Sequence, residues 1–197
     1  LNRYHPIAIV EAKDNKHCIS HGLQQAKEYA EMMDVPFAYS SNGDGFQEYD
    51  FLTGAERTLT MDEFPTVDAL VARYKAERND GQGLNAEEEK LIAQPFYSSQ
   101  TTYPPRYYQR NAVNRTLDAI ARGQDRILLV MATGTGKTYT AFQIVYRLLS
   151  SGVKRKVLYL ADRNNLVDQS IQQDFAPLEK VIHKVNFAKD RRDTITL

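Results

Sequence analysis

The stretch that most constrains this chain is Ala132-Thr133-Gly134-Thr135-Gly136-Lys137-Thr138, because of what lies on either side of it. Residues 127–131 are an apolar run of strand length, and residues 137–150 have the character of a helix closed by Gly152. A strand, a glycine-rich bend and a helix in that order bring backbone N–H groups together at a helix N-terminus. The partial positive charge of that terminus adds to the ammonium of Lys137. Such a concavity suits phosphate oxygens. Gly134 and Gly136, with Thr133 and Thr135 beside them, let the backbone bend around the phosphates. Lys137 reaches the β- and γ-phosphates, and the Thr138 hydroxyl completes the coordination of Mg²⁺. The spacing therefore implies ATP and Mg²⁺ as cofactors.

The surroundings of this loop extend the pattern. Residues 106–122 read as a helix stopped by Gly123, residues 156–161 as a strand and residues 164–175 as a helix. Alternating strand and helix implies a parallel sheet with helices packed on it. The strict phosphate-loop template has Gly where this chain has Met131. With that departure the loop resembles those of superfamily 2 helicases and translocases more than those of GTPases or kinases. Upstream stands Tyr107-Tyr108-Gln109. In superfamily 2 proteins a Gln in a comparable place reads the adenine edge, since an amide donates and accepts at once. The alternative is that Tyr107 and Tyr108 are core aromatics and Gln109 lies at the surface. Downstream, the segment from Leu158 to Gln169 resembles the next helicase motif. That motif sets polar side chains and a helix N-terminus against a DNA backbone. Arg163 is the candidate phosphate contact, and a helix cap by Asp162 or Asn164 is the alternative.

The N-terminal half follows another rhythm. Residues 6–11 read as a buried strand and residues 14–20 as a polar loop. Residues 22–33 read as a helix with Leu23, Ala26, Ala30 and Met33 on one stripe. A strand at residues 35–40, the turn Asn42-Gly43-Asp44-Gly45 and a strand at residues 46–51 make a hairpin. Residues 66–78 are helical, with Val67, Leu70, Val71 and Tyr74 as the buried face, and residues 86–93 form a short helix whose Glu87-Glu88-Glu89 run reads as its solvated side. Pro95 and Pro104-Pro105 bracket an extended connector that holds a domain boundary.

Glu11 and Lys13 end the first strand, two residues apart and therefore on one face. A carboxylate can hold a divalent metal, and an ammonium beside it can position a water or steady charge on a phosphorane. By itself the pair is most simply a surface ion pair. The helix that follows carries Gln25 and Tyr29 four residues apart, again on one face. Strand-Glu-x-Lys followed by helix-Gln-x-x-x-Tyr resembles the PD-(D/E)xK nuclease core in the restriction (R) subunit of type I restriction enzymes. The words Val10-Glu11-Ala12-Lys13-Asp14-Asn15 and Tyr39-Ser40-Ser41-Asn42-Gly43 resemble it too, and the order of nuclease before superfamily 2 motor is that family's.

The resemblance implies an α/β chain in which a partial nuclease core with a mixed sheet (residues 1–60) is joined by a helical linker (61–102) to the first part of a RecA-like P-loop domain with a parallel sheet (103–197). It implies that Glu11 binds Mg²⁺, that Lys13 assists catalysis, and that Gln25 and Tyr29 support the site or touch DNA. It implies ATP-driven pumping of duplex DNA with cleavage when translocation stalls, and modification (methyltransferase) and specificity subunits as partners.

Composition adds little to this. No apolar run approaches the ~20 residues that cross a bilayer, which argues against a membrane partner. The single Cys18 forms no intrachain disulfide, in keeping with a reducing cytoplasm. Net charge is zero, so DNA binding has to come from local patches. His17, Cys18 and His21 cluster, but three ligands with one thiolate match no common structural zinc spacing, and a solvated loop is the simpler reading. Only ten residues precede Glu11, and none is the second acid that the nuclease core needs. No Asp-Glu-x-His-like acid follows a strand after the phosphate loop. The expectation is an internal fragment that binds nucleotide but neither cuts DNA nor turns over ATP well. Two other readings are a superfamily 2 repair or remodelling helicase with an inactive nuclease-like domain, and a nucleotide-gated assembly module.

Overall fold

The computed structural model describes residues 5–100, 102–161 and 164–185. Its N-terminal half is a four-stranded sheet in the order β1 (Ala8–Ala12), β2 (Phe37–Ser41), β3 (Gly45–Asp50) and β4 (Glu56–Thr60). β1 and β2 run parallel, which needs a crossover, and α1 (Leu23–Met33) supplies it. The pairs β2–β3 and β3–β4 are antiparallel. Asn42-Gly43-Asp44 makes the expected hairpin turn: Gly43 takes φ +93°, and Asn42 Oδ1 accepts the Asp44 amide at 3.0 Å.

Two apolar faces explain why β2 is buried at every position. On one side Ile9, Ala38, Tyr49 and Phe51 pack against the stripe of Ala26, Ala30 and Met33 on α1. On the other, Ala8, Phe37, Tyr39 and Leu59 pack with Leu70 and Tyr74 of α2 (Val67–Gly81). Period-two alternation in the strands and helical spacing in α1 and α2 thus meet in a three-layer core. Val67 departs from the expected buried face of α2: it is 68% exposed. It occupies the first position after the N-cap Thr66, outside the cluster that Leu70 and Tyr74 form with the sheet. β4 carries no apolar alternation beyond Leu59 and pairs on one side, so periodicity gives it no signal.

A buried ionic network braces the same side of the sheet. Glu48, fully shielded on β3, accepts from Tyr39 at 2.5 Å, from Arg57 on β4 at 2.6 Å and from Arg73 on α2 at 3.0 Å, while Arg73 also reaches Asp50 at 2.6 Å.

A second core joins α3 (Ala86–Ala93), α4 (Tyr107–Ala121) and α5 (Lys137–Ser150) through Leu91, Phe96, Val113, Leu117 and Leu148. α3 has the boundaries its cap dictates: Asn85 accepts the amides of Glu87 and Glu88, and the Glu88 carboxylate returns to the Asn85 amide at 2.8 Å. The acidic run is therefore not a uniformly solvated face. Glu88 is 1% exposed and lies near Arg78 and Arg122. Gly123, at φ +79°, ends α4 as expected. α4 ties back to the sheet half where Arg115 pairs with Asp34 and Asn111 donates to the Met32 carbonyl.

The expected parallel sheet of the C-terminal half is not formed among the described residues. Residues 127–131 and 156–161 carry no strand pairing. Leu128 and Val130 are 86% and 87% exposed, with Leu158 and Leu160 similarly open. A parallel strand is held by ladders on its flanks, and the described residues supply no neighbour to either segment. α6 (Asn164–Gln172) and a 3₁₀ segment (Ala176–Val181) follow. Among the described residues no helix is long and apolar enough to cross a membrane.

Candidate functional site

The first candidate site lies at the C-terminal end of β1. The Lys13 amide continues the ladder by donating to the Ser41 carbonyl at 2.8 Å, so Glu11 and Lys13 keep the two-residue spacing that puts them on one face. Lys13 Nζ donates to Glu11 Oε1 at 2.7 Å and to Gln25 Oε1 at 2.8 Å. Gln25 Nε2 in turn donates to the Tyr29 hydroxyl at 3.0 Å. The four residues that two separate sequence patterns singled out are thus joined in one row. The amide of Gln25 serves both neighbours, accepting from the lysine and donating to the phenol. Lys13 and Glu11 keep 26% and 21% of their side-chain surface, so the pair is reachable from solvent. An ion pair with this much solvent contact contributes at most ~1 kcal/mol to stability.

Two residues outside those patterns touch the row. The Gly22 amide donates to Ser40 Oγ at 3.0 Å, and Gly22 lies against Glu11 and Lys13. Gly22 lies in no motif, and Ser40 stands in the Tyr39–Gly43 word with no role attached to it. Ser40 sits opposite Glu11 in the parallel register, a relationship visible only once the strands are paired.

The residues near β1 do not by themselves make a Mg²⁺ site. Mg²⁺ takes six oxygens in an octahedron. Glu11 offers one carboxylate, already paired with Lys13, and no trio of His, Cys, Asp or Glu among the described residues is placed to hold a metal. The His17 and His21 rings stack on each other with centroids 4.1 Å apart.

The second candidate site is the bend before α5. Gly134 and Gly136 have φ of +76° and +84°, the left-handed region in which glycine is at ease. The Ala132 carbonyl gathers the Thr135 hydroxyl at 2.6 Å and Lys137 Nζ at 3.2 Å, which folds the loop on itself. Thr140 is the first amide to bond backward, to the Gly136 carbonyl. The amides of Lys137 and Thr138 ahead of it are among those a helix cannot satisfy internally. Amides of this kind at a helix N-terminus are donors suited to an anion.

The Gln109 side chain is engaged within the chain at both ends of its amide. It is 8% exposed, hence not a surface residue. Its Oε1 accepts the Arg106 amide at 2.9 Å and its Nε2 donates to the Thr135 carbonyl at 2.8 Å. It braces the phosphate loop from beneath. Tyr107 is exposed and meets Tyr108 edge-on, so the two do not form a core pair. Arg163 and Asp162 lie outside the described residues.

The model of the family described as type III restriction enzyme, res subunit, matches residues 102–195. The chain is 45% identical over 185 residues to the type I restriction enzyme EcoAI endonuclease subunit of Escherichia coli, covering 92% of this chain and 22% of that protein. It is 48% identical over 66 residues to the EcoKI endonuclease subunit of Escherichia coli strain K12, covering 34% of this chain and 6% of that one. A solved fragment described as an HsdR subunit of a type I restriction enzyme from Vibrio vulnificus superposes with a TM-score of 0.65 at 42% identity, covering 76% of this chain and 27% of that one. The four-stranded mixed sheet with its helices thus has a counterpart in such a subunit. The family model covers the half with the phosphate loop, whereas the type I similarity runs through both halves. The chain spans less than a quarter of the length of the curated relatives it matches.

Proposed function

We infer that this chain is a stretch of the endonuclease subunit of a type I restriction enzyme, and that its two sites divide that subunit's work between cutting DNA and using ATP. In this reading residues 1–60 belong to the nuclease domain, 61–102 to a helical linker and 103–197 to the start of a RecA-like motor. The enzyme works in the cytoplasm. Duplex DNA is the substrate, and modification and specificity subunits are the partners. Most support comes from the hydrogen-bonded row Glu11–Lys13–Gln25–Tyr29 in a chain so similar to type I endonuclease subunits.

The chemistry follows from the row. The Lys13 ammonium, held between two oxygens, stands ready to neutralise charge that develops on a scissile phosphate. Glu11 and Gln25 fix its direction, and Tyr29 fixes Gln25. Gly134, Thr135, Gly136, Lys137 and Thr138, beside Thr133, would hold the ATP phosphates, with the Thr138 hydroxyl toward Mg²⁺ and Gln109 next to the loop. Bound ATP supplies the free energy of hydrolysis for movement along DNA. Arg163 keeps its assignment as a DNA phosphate contact on the sequence pattern alone.

The test uses the complete enzyme assembled with its partner subunits. Lys137→Ala abolishes ATP hydrolysis and, with it, cleavage. Glu11→Ala abolishes cleavage and leaves hydrolysis intact. ATPase at the parent rate in Lys137→Ala would remove the motor half of this reading, and normal cleavage by Glu11→Ala would remove the nuclease half.

A further inference from the structure

We propose that Gly22 and Ser40 are positioning residues for the row at the end of β1. The buried Ser40 hydroxyl holds the Gly22 amide, and the absent side chain at Gly22 lets the start of α1 close on β1, so that Gln25 reaches the Lys13 ammonium. The proposal rests on the nuclease reading given above.

Three observations from three elements converge on it. Ser40 is fully shielded on β2, opposite Glu11 in the parallel register, and its oxygen accepts the Gly22 amide at 3.0 Å. A hydroxyl without solvent needs such a partner. Gly22 itself has φ −89° and ψ −2°, ordinary right-handed backbone that any residue adopts. Its backbone therefore does not demand glycine; its neighbours do. A Cβ there would stand 2.9 Å from Glu11 Cγ, 2.9 Å from Ser40 Oγ and 3.3 Å from Lys13 Cε. Glu11 Cγ is not the free end of a side chain, and the Ser40 hydroxyl is already engaged by the Gly22 amide. Either Glu11 would rotate out of the row or α1 would lift from the sheet.

Gly22 also stands at the N-cap, where Ser, Thr, Asp or Asn would cap the helix with its own side chain. α1 has no side-chain cap hydrogen bond. What the position gains is close approach. The Gly22 carbonyl accepts the Ala26 amide at 2.9 Å, which binds Gly22 into the turn that carries Gln25. Residues three apart share a helix face. Whatever fixes Gly22 against Ser40 therefore fixes Gln25 against Lys13.

The test is single-turnover DNA cleavage by the complete enzyme, with ATPase measured in parallel. Gly22→Ala and Ser40→Ala are expected to lower the cleavage rate constant by roughly ten- to a hundred-fold. The DNA concentration for half-maximal rate and the ATPase rate stay at parent values. In a Gln25→Ala background, Gly22→Ala and Ser40→Ala add less than about two-fold, because they act through Gln25. A general weakening of the fold would instead lower ATPase and multiply with Gln25→Ala, and would overturn the proposal. So would cleavage at the parent rate in either variant or in Gln25→Ala. Should Gly22→Ala fail to assemble, Ser40→Ala, which adds no atoms, decides by the same readings. Glu11→Ala separates the two levels. If it cleaves normally, the nuclease reading itself falls. If it is dead while Gly22→Ala and Ser40→Ala cleave normally, only the positioning roles fall.

Discussion

Gln109 on the first turn of α4 donates its side-chain amide to the carbonyl of Thr135 in the glycine-rich bend before α5, 2.8 Å away and 26 residues on in sequence. The same side chain accepts the amide of Arg106 at its other end. The start of α4 and the bend before α5 are thereby keyed together. The fit leaves no slack, since a Cβ on Gly136 would stand 2.4 Å from Gln109 Nε2.

If this contact shapes the loop, truncating it weakens nucleotide binding. Gln109→Ala removes a hydrogen bond with a net contribution of ~1 kcal/mol, so ATP binding by the complete enzyme should weaken roughly five- to ten-fold. Gln109→Glu should be worse. A carboxylate cannot donate to the Thr135 carbonyl, and its charge is repelled by that oxygen. Titration with a fluorescent ATP analogue ranks the three proteins. Equal affinities for parent and Gln109→Ala would show that the brace does not set the loop.

Glu48 gives the sheet half a defined response to acid. Burial pushes its carboxyl upward, but the hydrogen bonds from Arg73, Tyr39 and Arg57 outweigh that and hold it below the usual carboxylate value. A carboxyl depressed in the folded state contributes stability that is complete above the unfolded value of about 4.3. That contribution is lost as pH falls through the lower folded value. Glu48→Gln leaves Arg57 and Arg73 facing a neutral amide and should cost about 3–5 kcal/mol at neutral pH. Urea unfolding from pH 7 to 3 checks both points. The parent loses stability on the acid side, and the variant, weaker throughout, loses less. Parallel curves for the two would rule out Glu48 as the source.

Much of the fold is legible in the sequence because local chemistry carries it. The stripe of Ala26, Ala30 and Met33 marks α1, Gly43 marks the hairpin, and Gly123 marks the end of α4. β4 is not legible, because an edge strand with one inward apolar residue looks like a polar loop. The burial of Glu88 hides in an acidic run, because the basic side chains near it, Arg78 and Arg122, come from other helices. At the candidate site, spacing alone puts Glu11 with Lys13 and Gln25 with Tyr29. The bond from Lys13 to Gln25 depends on how α1 docks on β1, and the Gly22–Ser40 contact depends on strand register. Residues 127–131 and 156–161 read as strands for the same local reason that α1 reads as a helix, yet a strand needs a neighbour that local sequence does not provide.

The pair between Arg115 and Asp34 links α4 to the end of α1 with two hydrogen bonds of 3.0 and 2.9 Å, but Arg115 is 66% exposed. An exposed pair contributes ~0–1 kcal/mol and is screened by salt. Arg115→Ala should therefore shift the urea midpoint only slightly, and less at 0.5 M NaCl than at 0.05 M. A loss above ~2 kcal/mol that salt does not alter would mean the contact holds the two halves together by packing rather than charge.

Arg147 presents the opposite case. It is 2% exposed on α5, with Nη1 donating to Asn114 Oδ1 at 2.7 Å, Nη2 donating to the Leu91 carbonyl and the guanidinium 4.8 Å from the Phe96 ring centre. These contacts join three helices and the connector at Phe96, yet among the described residues no carboxylate pairs with the charge. Burial alone pulls its pKa down to about 10. The planar fork meets two acceptors at once, which a single ammonium on a shorter, flexible stem does not reproduce. Arg147→Met removes the charge and leaves two buried acceptors without donors, at about 1–3 kcal/mol each. Arg147→Lys keeps a charge that is more strongly hydrated in water and satisfies at most one acceptor well. Lysine should therefore be no better tolerated than methionine, reversing the order that charge conservation suggests. Urea unfolding of the two variants decides it. A lysine variant as stable as the parent would mean that charge, not the fork, is what this position requires.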